Sequence, residues 1–190
     1  RDHGISGPVA AAGRELTRAG GFDDLQRGHR LAWAHLWERF NIVMGGDPDL
    51  LRIVRLHQLH LVQTLSPHTA DLDVGVPARG LHGEAYRGHV FWDELFVFPV
   101  TNLRLPKVTR SLLMYRYRRL PEARRAAIAA GHVGAMFPWQ SGSDGREESQ
   151  RMHLNPRSGR WNPDASARAH HIGLAIAYNV WQHYQVTGDM

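Results

Sequence analysis

The 190-residue sequence contains no cysteine, only one lysine and no long run of apolar residues. The absence of cysteine excludes disulfides, thiolate nucleophiles and zinc–thiolate sites, and it fits a cytoplasmic protein. A membrane-spanning helix needs about 20 apolar residues, whereas the best candidate run, residues 172–180, reaches about half that length. No secretory or other targeting pattern is recognisable at the start of the sequence. We therefore expect no membrane partner.

Positive charge is in modest excess but is not concentrated. There are 23 Lys+Arg residues against 18 Asp+Glu residues, which gives a formal net charge of +5. A nucleic-acid-binding protein would cluster such charge on one face. The one dense basic stretch, residues 116–125, lies in a helical context that is rich in Leu and Ala and includes Glu122. We interpret it as a solvated face and expect no nucleic-acid partner.

The spacing of apolar residues predicts helices that are separated by long polar loops, with almost no strand signal. The predicted helices cover residues 22–40, 48–65, 92–102, 106–118, 121–130 and 166–187. The last helix is apolar nearly all round, which predicts burial on most sides. Residues 66–88 and 136–164 are rich in Gly and Pro and predict loops. This alternation favours an all-α layered or toroidal fold whose loops build a site on one face.

The ends of the chain predict a piece of a longer protein. Residues 1–21 are rich in Gly and Ala with little periodicity, so we interpret them as a loop or linker, the tail of a preceding domain. Residues 41–44 form a short apolar run that is closed by two glycines, which predicts a single strand. The sequence stops directly after a strong helical pattern.

Two of the predicted loops place aromatic rings beside carboxylates. Trp92 is followed by Asp93, and Trp139 is followed by Gln140 and, eight residues after the indole, by Glu147. An indole covers the apolar face of a pyranose, while a carboxylate accepts hydrogen bonds from its hydroxyls, so this pairing is typical of a sugar site. The candidate substrate-binding residues are Arg79, His82, Glu84, Tyr86, Trp92, Asp93, Trp139, Gln140 and Glu147.

Other kinds of site have less support. The 13 histidines raise the question of a metal, but neither His57 and His60 nor the pair His170–His171 has a carboxylate at ligand spacing. No nucleophile elbow supports Ser/His/Asp catalysis, and no phosphate-cradling glycine loop opens a helix. We expect no metal and no organic cofactor.

Three segments together closely resemble glycoside hydrolase family 65. They are GLHGEAYRGHVFWDE at residues 80–94, FPWQ at residues 137–140 and HIGLAIAY at residues 171–178. The family comprises inverting α-glucoside phosphorylases and related trehalose hydrolases. The resemblance implies an (α/α)6 barrel that follows an N-terminal β-sandwich. Residues 22–46 would then be a linker helix and a short strand, and residues 47–190 the N-terminal portion of the barrel.

The resemblance also implies a reaction. The whole protein would cleave an α-glucosidic bond of a trehalose- or maltose-type disaccharide with inversion, by phosphorolysis or by hydrolysis. Trp92 and Asp93 would line the glucose subsite, and Trp139 would form a second aromatic wall. Inorganic phosphate would be the co-substrate of a phosphorylase.

The general acid is the missing component. Inverting cleavage needs a carboxylic acid to protonate the leaving oxygen, and in the family this Glu would lie beyond residue 190. The local substitutes are Glu84, Glu147 and Glu148. The chain alone is therefore expected to have no turnover.

Two further expectations follow. A non-catalytic carbohydrate-binding domain or pseudoenzyme is the alternative reading of the same residues. Part of a barrel would also expose apolar helix faces, so we expect self-association or a bound companion fragment, and a homodimer in the full-length protein.

Overall fold

A computed structural model describes residues 7–80, 83 and 86–189. This part of the chain is mostly helical with one small two-stranded sheet, which confirms the all-α class at that level. It separates into two compact units, Arg1–Gln58 and Leu59–Met190. None of the helices within the described residues is long and apolar enough to cross a membrane.

The described residues contain seven α-helices and two strands. The helices are α1 (Pro8–Ala19), α2 (Phe22–Phe40), α3 (Pro48–Val62), α4 (Glu94–Arg104), α5 (Pro106–Arg118), α6 (Leu120–Ala129) and α7 (Ile172–Thr187). The strands are β1 (Met152–Leu154) and β2 (Trp161–Pro163), and short 3-10 turns cover Pro67–Thr69, Tyr86–Gly88 and Ser166–Arg168.

The first unit corrects two predictions. Residues 8–19 form α1 rather than a loop, because a segment with four alanines has a high intrinsic helix propensity even without a periodic apolar pattern. Residues 41–46 are irregular rather than a strand, and Val43 is 90% exposed. A strand needs a partner for its backbone groups, and no described residue pairs with this run. The side-chain amide of Gln58 donates instead to the carbonyl of Phe40.

The core of the second unit lies among α4, α5 and α7, which pack against one another. Its buried apolar side chains are Val97, Phe98, Val108, Leu112, Tyr115, Ile172 and Ile176. Fully burying one such side chain contributes about 1.5–3 kcal/mol. Two pairs of polar side chains in the same core join different helices. Thr109 Oγ1 donates to Thr101 Oγ1 at 2.7 Å, and Nδ1 of His183 lies 2.9 Å from Oδ1 of Asn102.

A buried ion pair fixes the start of α4 on α5. Nε of Arg116 lies 3.0 Å from Oε1 of Glu94, and both side chains are almost completely buried. The same guanidinium donates to the carbonyl of Phe91. Arg116 therefore binds the residues on both sides of Trp92 and Asp93, the carbonyl of Phe91 and the side chain of Glu94.

The prediction that α7 is buried on most sides is wrong. One face is buried through Ile172, Ile176 and His183, whereas Leu174 is 76% exposed and Trp181 is 54% exposed. The helix contacts α4 and α5 in the described structure, and two neighbours cover only one side of a helix. It also begins at Ile172, because residues 166–168 form a separate 3-10 turn.

A β-hairpin lies within the loop predicted for residues 136–164. Strands β1 and β2 are antiparallel, and Leu154 is opposite Trp161 in their register. The Asn155 carboxamide oxygen accepts from the backbone N–H groups of residues 157 and 158, and Gly159 adopts a φ of +65°. Glycine reaches this left-handed region without steric cost. Strands of three residues are too short for an alternating pattern to reveal them.

Candidate functional site

Three rings from separate parts of the chain meet at one place. The ring centroids of Trp92 and Trp139 are 5.8 Å apart, and His171 lies 5.9 Å from Trp92 and 5.3 Å from Trp139. We call these three residues the ring cluster. Trp92 is 39% exposed and Trp139 is half-buried, so the cluster keeps aromatic surface open to a ligand. The sequence predicted that the two indoles converge, and the structure brings them together.

Helix packing explains why these distant residues meet. Trp92 lies just before α4 and His171 immediately precedes α7. Helices α4 and α7 pack together, and this packing accompanies the contact between Trp92 and His171 at their N-terminal ends. Trp139 comes from the loop between α6 and β1, and it packs against a buried cluster on α7 that consists of Ile172, Ala175 and Ile176.

The loop that carries Trp139 is fixed by backbone pairing. Val90 and Ser141 exchange two N–H···O bonds of 3.0 Å each, and isolated bridges also join Pro77 to Val90 and Ser141 to Glu147. The hydroxyl of Tyr115 on α5 lies 2.7 Å from Oγ of Ser141. The segment after Trp139 is thereby held both to residue 90 and to α5.

One glycine allows this loop to lie close to α5. Gly145 adopts a φ of +82°, and a Cβ at this position would stand 2.8 Å from Cβ of Arg119. Arg119 in turn donates to the carbonyl of Ser143 at 2.6 Å and packs its guanidinium over the Tyr115 ring at 3.6 Å. Only glycine meets both the conformational and the steric requirement here.

Asp93 follows Trp92 of the ring cluster directly in the sequence and carries a carboxylate. It is half-buried, and the loss of solvent raises the pKa of its carboxyl above the usual value, an effect that its own backbone partly opposes. Burial also raises the pKa of neighbouring Glu94, while the Arg116 guanidinium opposes that shift. Glu94 is committed to the buried ion pair, and Asp93 is the less buried acid of the two.

The Glu147 carboxylate binds backbone N–H groups of the loop that carries Trp139. Its Oε2 accepts from the backbone N–H of Trp139 at 2.7 Å, and its Oε1 accepts from the N–H groups of Gln140 at 3.2 Å and Ser149 at 2.9 Å. The carboxylate thus lies beside the ring cluster but binds the backbone of its own loop. A direct contact between Glu147 and substrate stays a prediction.

Tyr86 is connected to the ring cluster through the ring of Phe91. Its ring is 5.1 Å from that of Phe91, which is 5.7 Å from Trp139. Tyr86 and Arg87 have φ values of +61° and +53°, a conformation that costs a non-glycine residue of the order of 1–3 kcal/mol and that concentrates at functional sites. His89 holds this turn, with Nδ1 2.7 Å from the Tyr86 carbonyl oxygen.

His89 also joins this turn to the loop of Trp139. Its Nε2 lies 2.6 Å from Oε2 of Glu148, and the backbone N–H of Glu148 donates to the carbonyl of Gln140 at 3.1 Å.

The Gln140 side chain is half-buried. Among the predicted site residues, Arg79 is exposed and lies beside Gly83. His82 and Glu84 lie outside the described residues.

His171 is the site residue that sequence reasoning missed. It was weighed only as half of a metal-binding pair with His170, although it belongs to one of the motifs that carried the family resemblance. Its signal was its position directly before an apolar helix. Within residues 7–80, 83 and 86–189, no group of three or more histidine or acidic side chains is arranged to hold a metal ion.

Comparison with known proteins supplies the family. The model of the "Glycosyl hydrolase family 65 central catalytic domain" matches residues 55–190. The chain belongs to glycosyl hydrolase family 65. An uncharacterized glycosyl hydrolase of Mycobacterium tuberculosis (strain ATCC 25618 / H37Rv) is 67% identical to this family 65 chain over 189 residues, which are 100% of the chain and 14% of that protein.

Two further proteins extend the comparison. Trehalose 6-phosphate phosphorylase of Lactococcus lactis subsp. lactis (strain IL1403) is 44% identical over 185 residues, which cover 96% of the chain and 24% of that protein. A solved structure from the human microbiome, provisionally named a kojibiose phosphorylase, superposes with a TM-score of 0.72 at 23% identity, over 95% of the chain and 22% of its own. The family 65 chain thus spans only about a seventh to a quarter of these proteins' length.

Proposed function

We propose that residues 47–190 are the N-terminal portion of an (α/α)6 barrel and supply the glucose-binding face of an enzyme that cleaves an α-glucosidic bond with inversion. The observation that carries this proposal is the 5.8 Å approach of Trp92 and Trp139 with Asp93 next in sequence to one of them. The fold likeness to a family 65 structure supports the barrel.

The ring cluster and Asp93 have complementary roles in this proposal. The exposed surface of the two indoles covers the apolar face of a pyranose ring. The ionised carboxylate of Asp93 accepts hydrogen bonds from two sugar hydroxyls, which a neutral side chain does less well. His171 completes the aromatic wall and offers a polar ring edge. Together these groups would orient glucose for attack at its anomeric carbon.

The proton donor is proposed to come from outside these 190 residues. An inverting reaction needs a carboxylic acid at the leaving oxygen. Of the local substitutes, Glu147 binds three backbone N–H groups and Glu148 contacts His89. These contacts favour structural roles for the two carboxylates and support a proton donor from outside the chain.

The nucleophile distinguishes the two forms of the reaction. In phosphorolysis, a phosphate oxygen forms a bond to the anomeric carbon as the bond to the leaving oxygen breaks, which yields β-glucose 1-phosphate and the second sugar. In hydrolysis, water attacks and β-glucose is released, and a general base must accept the water proton. The name of the Lactococcus relative, a trehalose 6-phosphate phosphorylase, supports phosphorolysis of a trehalose-type substrate.

The test uses the full-length protein that carries this chain. It is incubated with a panel of α-linked glucose disaccharides and their 6-phosphates, with and without inorganic phosphate, and products are identified by NMR. We expect phosphate-dependent release of β-glucose 1-phosphate. Phosphate-independent release of β-glucose would identify a hydrolase. Sugar binding without turnover of any substrate would support a non-catalytic carbohydrate-binding domain or pseudoenzyme instead.

Substitutions assign the site. Trp92→Ala and Trp139→Ala should each lower kcat/KM by at least about tenfold, since the loss of 1.4 kcal/mol of transition-state contact has that effect. Trp161→Ala is the matched control, because this indole is also exposed but lies on β2. Equal effects of all three substitutions on kcat/KM would contradict the assignment of the glucose site to the ring cluster.

A further inference from the structure

The carboxylate of Glu147 is arranged to hold one end of a loop. Its two oxygens accept from three backbone N–H groups, those of Trp139, Gln140 and Ser149. The shortest of these bonds, 2.7 Å, goes to the N–H of the residue that carries the indole. Charge-assisted bonds of this length are roughly twice as strong as bonds between neutral groups.

Only an ionised carboxylate satisfies this set of donors. It is a pure acceptor with about four lone-pair sites, so it can bind three N–H groups at once. The isosteric glutamine side chain has a single acceptor oxygen, and its NH₂ group would face a backbone N–H. Aspartate keeps the charge, but it is one methylene shorter and does not span the same distance.

The rest of the loop does not depend on Glu147. The paired bonds between Val90 and Ser141, the contact of Tyr115 with Ser141, and the bond from Arg119 to the carbonyl of Ser143 all hold the segment after residue 140. Loss of the Glu147 carboxylate would therefore leave the loop attached. It would release the backbone at residues 139 and 140.

We propose that Glu147 is a positioning residue that sets the orientation of the Trp139 indole in the ring cluster, through its backbone contacts rather than through contact with sugar. The inference rests on the proposed glucose-binding function of Trp139. In this account, the affinity for glucose depends on a carboxylate that the sugar does not touch.

The same loop offers a matched control. Asp144 is an exposed acid three residues before Glu147, and its carboxylate accepts from the N–H of Arg146 at 3.0 Å and lies 2.6 Å from Arg146 Nε. Asp144→Asn removes a negative charge and a local backbone bond from the same loop without touching residues 139 or 140.

The experiment compares Glu147→Gln, Glu147→Asp, Asp144→Asn and Trp139→Ala in the full-length protein. Glucose affinity is measured by calorimetry, KM and kcat are measured for the disaccharide substrate, and the ring is followed by the ¹⁹F resonance of 5-fluorotryptophan, with Trp139→Phe identifying the line of residue 139. Thermal melting monitors the fold.

We expect both Glu147 variants to move the ¹⁹F line of residue 139, to weaken glucose binding about five- to tenfold and to raise KM more than they change kcat. Asp144→Asn should leave all four quantities unchanged. Wild-type affinity and an unmoved line in Glu147→Gln would overturn the proposal. So would failure of both Glu147 variants to fold, since the carboxylate would then hold the fold rather than the ring.

Trp139→Ala separates this inference from the proposed function. If that variant binds glucose as the wild type does, the proposed glucose site is wrong, and the Glu147 variants are then not expected to change glucose affinity. The ¹⁹F line still reports whether Glu147 orients the indole. If Trp139→Ala loses affinity and Glu147→Gln does not, the glucose site stands and only the positioning role is overturned.

Discussion

At the scale of single residues, Asp93 combines two properties that oppose each other. Its half-buried position withdraws water from the carboxyl and raises its pKa. The same residue follows Trp92 directly in the sequence, and in the proposed function it accepts hydrogen bonds from sugar hydroxyls. A charge that costs stability when the site is empty is typical of residues kept for function rather than for folding.

Substitution of Asp93 by Asn should separate these two effects. Because the pKa of the Asp93 carboxyl is higher in the folded protein than in the unfolded chain, the folded protein binds the proton of this carboxyl more tightly. Stability therefore falls as the pH rises through the interval between the two pKa values, and it stays lower above that interval. Asp93→Asn should raise the melting temperature at pH 7 and weaken glucose binding.

The pH dependence of glucose binding provides the check. Affinity in the wild type should fall on acidification, starting at a higher pH than for an ordinary aspartate because the pKa of Asp93 is raised and the protonated acid is a poorer acceptor. The Asn variant should lose this limb of the profile. A profile that is unchanged by the substitution would contradict the role given to Asp93.

Residue chemistry predicted part of the site and missed the rest for a physical reason. Trp92 and Asp93 could be found because an indole beside an acid is a local pattern, and Trp139 because its loop carries an acid, Glu147, eight residues later. His171 could not, since its role depends on the packing of α4 against α7, which joins residues far apart in the sequence. Glu147 was found as an acid near Trp139, but only the structure shows that it binds backbone N–H groups.

At the scale of elements, the position of Trp92 and Asp93 depends on contacts between α5 and the start of α4. Arg116 on α5 reaches the first residue of α4 and the carbonyl of Phe91. A buried pair of this kind contributes little relative to an apolar pair, but the removal of one partner leaves an uncompensated charge, which costs about 3–5 kcal/mol.

Arg116→Met should therefore destabilise the full-length protein strongly and lower its glucose affinity, because Trp92 and Asp93 lie between the two groups that Arg116 holds. Arg118→Met is the control on the same helix. Arg118 pairs with Asp73 at the surface, 3.1 Å away, and such pairs contribute about 0–1 kcal/mol. Thermal melting and calorimetry with glucose make the comparison, and equal losses in the two variants would contradict this account.

Elements with strong local signals were predicted well. Helix α5 has the predicted bounds, Pro106–Arg118, since proline at the first helical position marks its start. The hairpin β1–β2 was missed because its strands have three residues each. The burial of α7 was overestimated because an apolar helix does not reveal how many neighbours cover it.

At the scale of the whole molecule, apolar side chains remain uncovered on two helices of the second unit. Phe96 and Leu103 on α4 are 64% and 69% exposed, and Leu174 on α7 is 76% exposed. Scattered apolar residues are ordinary on protein surfaces, whereas groups of them mark surfaces that pack against something else. In the proposed barrel, further helices would cover these faces.

Because these apolar faces are exposed, the isolated 190-residue polypeptide should self-associate or bind a companion fragment. It should also show no turnover, because the proposed proton donor lies outside it. Size-exclusion chromatography with light scattering at micromolar concentration makes the first test, and the disaccharide assay makes the second. A monodisperse monomer that melts cooperatively would contradict the first expectation. Release of glucose or glucose 1-phosphate at ordinary enzymatic rates would contradict the second.

The most direct measurement of the central claim is a crystal structure of the full-length protein with bound glucose. The account predicts one pyranose ring against the indoles of Trp92 and Trp139, with the Asp93 carboxylate within hydrogen-bond distance of two of its hydroxyls. Glucose bound at a different place, or a ring cluster covered by another part of the protein, would contradict it.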